Sequence, residues 1–345
     1  MLKPDNIGVK KKILTVTYPM ITTYTQHAHL LSILSSYECA YPWIFSNYIQ
    51  LYINKDYKYS WGDFYFPFPY ELRPSDTCKW ILTQKIHRDI ASSKWGTILN
   101  FIIECINSDN YIHTMINYFY VPISARFNKK ELNHDIFIFG YDLTEEVLFV
   151  ADFFCEKYIY ERISFSDFDI AFSNYGFSKN SDYLNKLVYL YKFNLNCDYK
   201  FSIENIFNSI KSYLYSSIPE YWDKYNSDNK HEIVFGMEIY NTLINYIIGI
   251  TSNKLHDIDV RPFYMLYDHK KIMVVRIKYL YNHQYCKNHS EENINKIVEL
   301  EDQARIVLNL IIKYNITKNN VIINKVVNML NDIEKKEKEI LKYFI

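Results

Sequence analysis

His134-Asp-Ile-Phe-Ile-Phe-Gly-Tyr-Asp142 is followed, after a short polar link, by Val147-Leu-Phe-Val-Ala-Asp152. Both runs alternate with the two-residue period of a β-strand. The link beginning Asp142-Leu-Thr-Glu145 has the length and composition of a turn, so the pair predicts a β-hairpin. A turn centred near residue 143 sets His134 opposite Asp152, Ile136 opposite Val150 and Ile138 opposite Leu148. Opposed residues share a face, which brings the imidazole and the carboxylate together at the open end of the hairpin. A carboxylate in that position fixes the imidazole tautomer and stabilises the imidazolium. The imidazole then takes a proton from a nucleophile and returns it to a leaving group. A structural His–Asp pair at a strand end accounts for the same spacing, and the spacing alone leaves both readings open.

Outward from the hairpin, residues 13–18 predict a strand and residues 27–36 a helix. Thr22, Thr23 and Thr25 stand as candidate N-caps of that helix. Residues 41–54 predict a second helix with Pro42 in its first turn, 55–78 a loop, and 94–108 an amphipathic helix. Residues 110–122 and 157–164 predict further strands. After about residue 180 the pattern becomes helical, with segments at 181–192, 203–216, 231–251, 260–282, 291–314 and 318–343. The expected organisation is an α+β domain over residues 1–180 and an all-helical domain over 181–345.

Composition narrows the classes. The 345 residues contain 39 Lys+Arg and 39 Asp+Glu, so the basic excess of a nucleic-acid binder is missing. No apolar run reaches the ~18 residues that cross a bilayer. Met1 to Lys12 lacks the apolar stretch of a signal peptide, which predicts a cytoplasmic protein. Six cysteines are scattered without a CxxC pair, which predicts reduced thiols and neither a zinc site nor a redox motif. With 7 glycines and no GxGxxG, P-loop or GxSxG, no phosphate-binding loop or bound cofactor is expected. The abundance of Tyr, Asn, Ile and Lys is the signature of an AT-rich genome. Oligomeric state is not legible.

The His134 to Asp142 and Val147 to Asp152 runs resemble the His and Asp strands of papain-like cysteine enzymes. They resemble most closely those of the butirosin biosynthesis protein H-like acyltransferases and related amide-forming enzymes of bacterial natural-product clusters. Thr25-Gln-His-Ala-His-Leu-Leu-Ser-Ile-Leu34 matches the family's nucleophile-bearing helix, and Tyr41 to Leu51 is also similar to this group. Phe235-Gly-Met-Glu-Ile-Tyr240, Asp259-Val-Arg-Pro-Phe263 and Asp268-His-Lys-Lys-Ile-Met273 extend the likeness weakly into the helical half. The resemblance implies a papain-like N-terminal domain. It implies a reaction in which a cysteine takes an acyl group from a carrier-protein phosphopantetheine thioester and an amine acceptor then receives it as an amide.

The chain departs from that pattern at one place: no cysteine lies between Thr25 and His29. Alignment on Ser32-Ile-Leu puts Thr25 at the nucleophile position, and alignment on the helix start puts His27 there. Gln26 is a candidate oxyanion donor. Three readings follow. Thr25 or His27 replaces the cysteine, with His134 as base and Asp152 as its orienter. Alternatively, direct aminolysis proceeds without an acyl-enzyme, or the domain is a pseudoenzyme that binds a carrier protein, substrate or partner enzyme. The same residues with water as acceptor give an amide or thioester hydrolase. His29 reads as a partly exposed surface histidine, and a His/Asp metal site is not expected, because HxH spacing on a helix splits the two rings between faces. The basic stretch around Ile272, with His269, Lys270, Arg276 and Lys278, reads either as a surface for an acidic carrier protein or as an ordinary amphipathic helix.

Overall fold

The alternating run Asn133–Asp142 forms a ten-residue strand, and the architecture is built around it. The structure, a computed structural model, describes residues 9–56, 62–66, 73–176, 186–219, 233–252, 257–285 and 291–344. In chain order the described elements are β1 (Lys11–Ile13), α1 (Thr25–Leu34), α2 (Tyr41–Asn47), β2 (Leu51–Asn54), β3 (Gly62–Phe64), α3 (Pro74–Thr77), β4 (Ile81–His87), α4 (Arg88–Lys94), α5 (Ile98–Asn107), β5 (Tyr111–Asn117), β6 (Asn133–Asp142), β7 (Val147–Asp152), β8 (Ile159–Ser164), α6 (Phe165–Ser173), β9 (Leu187–Phe193), α7 (Ile203–Leu214), β10 (Ile233–Phe235), α8 (Ile239–Ser252), α9 (Arg261–Asn282), α10 (Glu291–Thr317) and α11 (Asn320–Leu341). The class is α+β, and from Ile239 onward every described α- or β-element is a helix.

Two compact units emerge, one of residues 1–40 and 70–199, the other of 41–69 and 200–345. The boundary expected at residue 180 is therefore corrected. β9, at the end of the stretch expected to be a helix over 181–192, is a strand of the first unit's sheet, paired with both β4 and β5. Residues 181–185 lie outside the described residues. The segment 41–69 belongs to the second unit, where the expected helix over 41–54 ends at Asn47. There Ser46 Oγ donates to Pro42 O and Asn47 Nδ2 to Trp43 O, each at 2.7 Å. Leu-Tyr-Ile then pairs as β2 with β3 and β10, so the second unit carries a small antiparallel sheet beside its helices.

In the first unit the sheet order is β4-β9-β5-β6-β7-β8, with β1 on the far end of β6. The expected strand over 13–18 is shifted to Lys11–Ile13, because the following backbone is satisfied elsewhere. Tyr111 Oη donates to Thr15 O at 2.7 Å, Tyr160 Oη to Thr17 O at 2.8 Å, and Thr17 N to Ser32 O at 3.0 Å. The Gly-Tyr-Asp of the β6 motif serves this docking. A Cβ on Gly140 would stand 2.7 Å from Lys12 O. Tyr141 Oη donates to Asn107 Oδ1 at 2.7 Å, and Asp142 Oδ1 accepts from the turn amides of Thr144 and Glu145.

The β6–β7 hairpin forms, but its register differs from the expected one. Phe137 opposes Ala151 and Ile138 opposes Val150, and a bulge at Phe139 then sets Gly140 against Phe149. Up to Ile138 the slip from the expected pairing is two residues, so these side chains keep their faces, and past the bulge it is three. His134 and Asp152 become diagonal neighbours rather than direct partners, within reach of side chains as long as these.

The second unit buries charge. Lys270 Nζ lies 2.5 Å from Glu337 Oε1, and both side chains are almost wholly enclosed. Tyr213 and Tyr240 donate to Glu337 Oε2 at 3.2 and 2.7 Å. His269 Nε2 donates to Ile49 O at 2.8 Å, and Arg276 Nε donates to Phe45 O at 2.7 Å. The basic stretch read as a possible carrier surface is thus corrected for His269, Lys270 and Arg276, which are buried: His269 and Arg276 tie α9 to residues 41–69, and Lys270 ties it to Glu337. Gly236, in the Phe235 to Tyr240 motif, has φ +58°, and a Cβ there would stand 2.2 Å from Tyr213 O, so the turn into α8 excludes other residues. Removing one partner of the buried pair leaves the other charge uncompensated. Glu337→Leu is expected to lower stability by about 3–5 kcal/mol, and Lys270→Met added to it should restore most of the loss, as read from urea-unfolding midpoints.

Candidate functional site

Strand alternation governs the chemistry of the first unit. The β5–β6 ladder is regular from Ile112↔Ile138 to Asn117↔Asn133, so the consecutive residues His134 and Asp135 point to opposite faces of the sheet. Each gathers its own set of polar groups.

On one face, shared with the buried Ile116, Ile136 and Val150, His134 Nδ1 lies 2.7 Å from Asp152 Oδ2. The pair expected from the sequence is therefore formed. Asp152 is fully enclosed, while 31% of the His134 side chain is exposed. Tyr118, from the turn after β5, donates its hydroxyl to the same Asp152 oxygen and packs its ring against the imidazole. Asp152 Oδ1 is buried without a hydrogen-bond partner among the described residues. Burial pushes the imidazole toward neutrality, but the Asp152 carboxylate outweighs it and raises the His134 pKa to about 9. Burial pushes the Asp152 carboxyl up, against the pull of His134 and Tyr118. At neutral pH His134 is thus an imidazolium, able to donate a proton but without a lone pair to accept one.

On the other face α1 lies across the sheet. His29 stacks on Phe137 with ring centroids 5.2 Å apart and meets His113 edge-on at 4.7 Å. Asp135 is the hub. Its Oδ2 accepts from Thr25 Oγ1 at 2.9 Å, and its Oδ1 accepts from His113 Nε2 at 2.5 Å. Arg73 Nη1 lies 3.8 Å from the same Oδ1 and 2.9 Å from His113 Nδ1. Burial opposes the Asp135 charge, yet His113 and Arg73 hold its pKa well below the ordinary carboxylate range. Burial keeps His113 and His29 neutral, with Arg73 adding to the effect on His113 and His113 on His29. His29 Nδ1 pairs with Tyr158 Oη at 3.1 Å, which in turn meets Ser32 Oγ at 3.0 Å. His29 Nε2 is buried without a partner among the described residues.

The sequence-derived positions divide accordingly. Thr25 begins α1 and is bound to Asp135, on the face opposite His134 and Asp152. His27 is fully buried within α1, and Gln26 is partly exposed beside it. His29, read as a partly exposed surface residue, is instead completely buried: Phe137, His113 and Tyr158 enclose it. Cys39 is exposed in the helical turn Glu38–Ala40 beyond α1. Among the described residues no cluster of three or more His, Cys, Asp or Glu side chains could hold a metal ion, and no helix is long and apolar enough to cross a membrane. Sequence reading missed Arg73, His113 and Asp135. His113 carried a signal, as an imidazole inside the otherwise strand-forming run Tyr-Ile-His-Thr-Met-Ile, and so did Asp135, a charge within an apolar strand. Comparison with protein-family models and with curated proteins gave no match.

The two histidine sets act on stability with opposite signs. His134 titrates higher in the folded than in the unfolded chain, so its contribution is complete below about pH 6.5 and is lost as pH rises toward about 9. His29 and His113 titrate lower when folded, so stability falls as pH drops below about 6.5. His134→Gln is expected to flatten the alkaline limb of the unfolding midpoint against pH while leaving the acid limb, and His29→Gln to relieve the acid limb below about pH 6.5. A wild-type alkaline slope retained in His134→Gln would contradict the assignment.

Proposed function

We propose that this chain is a papain-like domain that works by binding, without forming an acyl-enzyme. Its ligand class is a carrier-protein-bound acyl thioester. One observation carries the reading: the hydroxyl at the nucleophile position and the His134–Asp152 pair occupy opposite faces of one sheet. Nucleophilic catalysis needs the two within hydrogen-bond reach. Thr25 instead donates to a carboxylate whose low proton affinity makes it a poor base. His27 has no exposed surface on which to carry an acyl group. His134 rests protonated, which suits it to holding or polarising a bound carbonyl rather than to removing a proton.

The papain-like assignment and the carrier thioester rest on the likeness of the His134 to Asp152 hairpin and of the Thr25 to Leu34 helix to the butirosin biosynthesis protein H-like family. That likeness also supplies the setting, bacterial specialised metabolism. Acyl transfer to an amine and hydrolysis are the competing readings, and one experiment separates them. The full chain is incubated with a panel of acyl-carrier thioesters, with and without amines, and followed by intact-protein mass and by surface plasmon resonance against the immobilised carrier. The expected result is an unmodified mass, no amide, and reversible binding of the acyl-carrier that survives Thr25→Ala. An acyl adduct that disappears in Thr25→Ala would restore covalent catalysis. Amide formed without an adduct and lost in His134→Ala would restore direct aminolysis, and failure of every carrier to bind would remove the ligand class.

A further inference from the structure

The second unit contains a pocket of about 330 Å³ between the end of α2, the residue after β3, and one face of α7. This lies at the lower end of the ~300–1,000 Å³ range of small-molecule sites. Asn205, Asn208, Ser209 and Ser212 supply one wall. Their spacing of i, i+3, i+4 and i+7 puts all four on one helical stripe, separate from the buried Ile206, Ile210 and Tyr213. Among the described residues none of these four side chains makes a hydrogen bond, so their donors and acceptors stay available. The facing wall is complementary. Ser46 and Asn47 commit a donor each to carbonyls of their own helix, which leaves oxygen lone pairs as acceptors. Ile49 and the ring of Tyr65 supply apolar surface between the polar walls.

Charge decides the class of ligand. Ten of the described residues line the pocket, and none of these is Lys, Arg, His, Asp or Glu. Charged residues make up 23% of the chain, yet the seven partly exposed described residues of the lining include none. A charged ligand would give up its hydration here without a counter-ion. A neutral polyol would exchange its water contacts for amide and hydroxyl groups that, like its own hydroxyls, both donate and accept. Its C–H faces would meet Ile49 and Tyr65. A solvated helix face explains the α7 stripe alone, but not the enclosing wall opposite or the missing charge. We infer that this pocket binds a neutral, monosaccharide-sized carbohydrate, at a site independent of the His134 and Asp135 clusters.

The test is saturation-transfer-difference NMR on the full chain with D-glucose and N-acetyl-D-glucosamine, against D-glucosamine as cation and D-glucuronate as anion. A neutral sugar is expected to receive saturation and the charged pair to receive much less. Asn205→Leu combined with Asn208→Leu should weaken the neutral sugar by about tenfold or more, with unchanged circular dichroism and melting because both side chains are exposed. Ser209→Ala with Ser212→Ala serves as the milder second variant and should weaken it in the same direction. No response from either neutral sugar, an equal response from the charged sugars, or full binding in both double variants would overturn the inference.

Discussion

The carboxylate of Asp135 is the charge around which the α1 face of the sheet is organised. It ties the first residue of α1 to β6 through Thr25, and β6 to β5 through His113, with Arg73 completing its compensation. A buried carboxylate is tolerable only with such partners. The partners therefore cannot be released one at a time. His113 and His29 are kept neutral, and the helix is held with its polar start against the sheet. The Thr25 hydroxyl is engaged in holding this face together.

That constraint separates the two polar clusters and gives each a different character. The His134–Asp152–Tyr118 group keeps an exposed imidazolium edge on one face. The Asp135 group is largely enclosed on the other, with 19% of the Asp135 side chain exposed, and has its charges balanced internally. A hydrolase or transferase built on a helix-borne nucleophile needs base and nucleophile on the same side. A single step along β6 puts the two clusters on opposite faces, because a strand turns consecutive side chains through half a revolution. In the second unit, the same logic of compensated burial joins α9 to residues 41–69 through His269 and Arg276, and to α11 through Lys270 and Glu337.

Much of this was open to reading in one dimension. The β6–β7 hairpin, the helices α7, α9, α10 and α11, and the contact between His134 and Asp152 all follow from alternation, helical periodicity and polar breaks. The failures have specific causes. A strand such as Leu187–Phe193, with both faces in the core, loses the alternation that distinguishes it from a short helix. The helix starting at Tyr41 ends where Ser46 and Asn47 turn back on their own carbonyls and β-formers follow. The hairpin register slipped because the turn between Asp142 and Val147 is centred past residue 143, and the bulge at Phe139, which leaves no mark in composition, takes one residue off the shift.

The sequence by itself determined the β6–β7 hairpin, the long helices of the second half, the proximity of His134 to Asp152, and the lack of a cysteine between Thr25 and His29. Only the tertiary structure decided that Thr25 answers to Asp135, that His29 and His113 are buried beside it, that Arg73 comes from a distant segment to balance the charge, and that His269, Lys270 and Arg276 of α9 point inward. The physical reason is that periodicity is a property of neighbours along the chain. Compensation of a buried charge depends on which distant segments the fold brings within a few ångströms, and no local pattern encodes that.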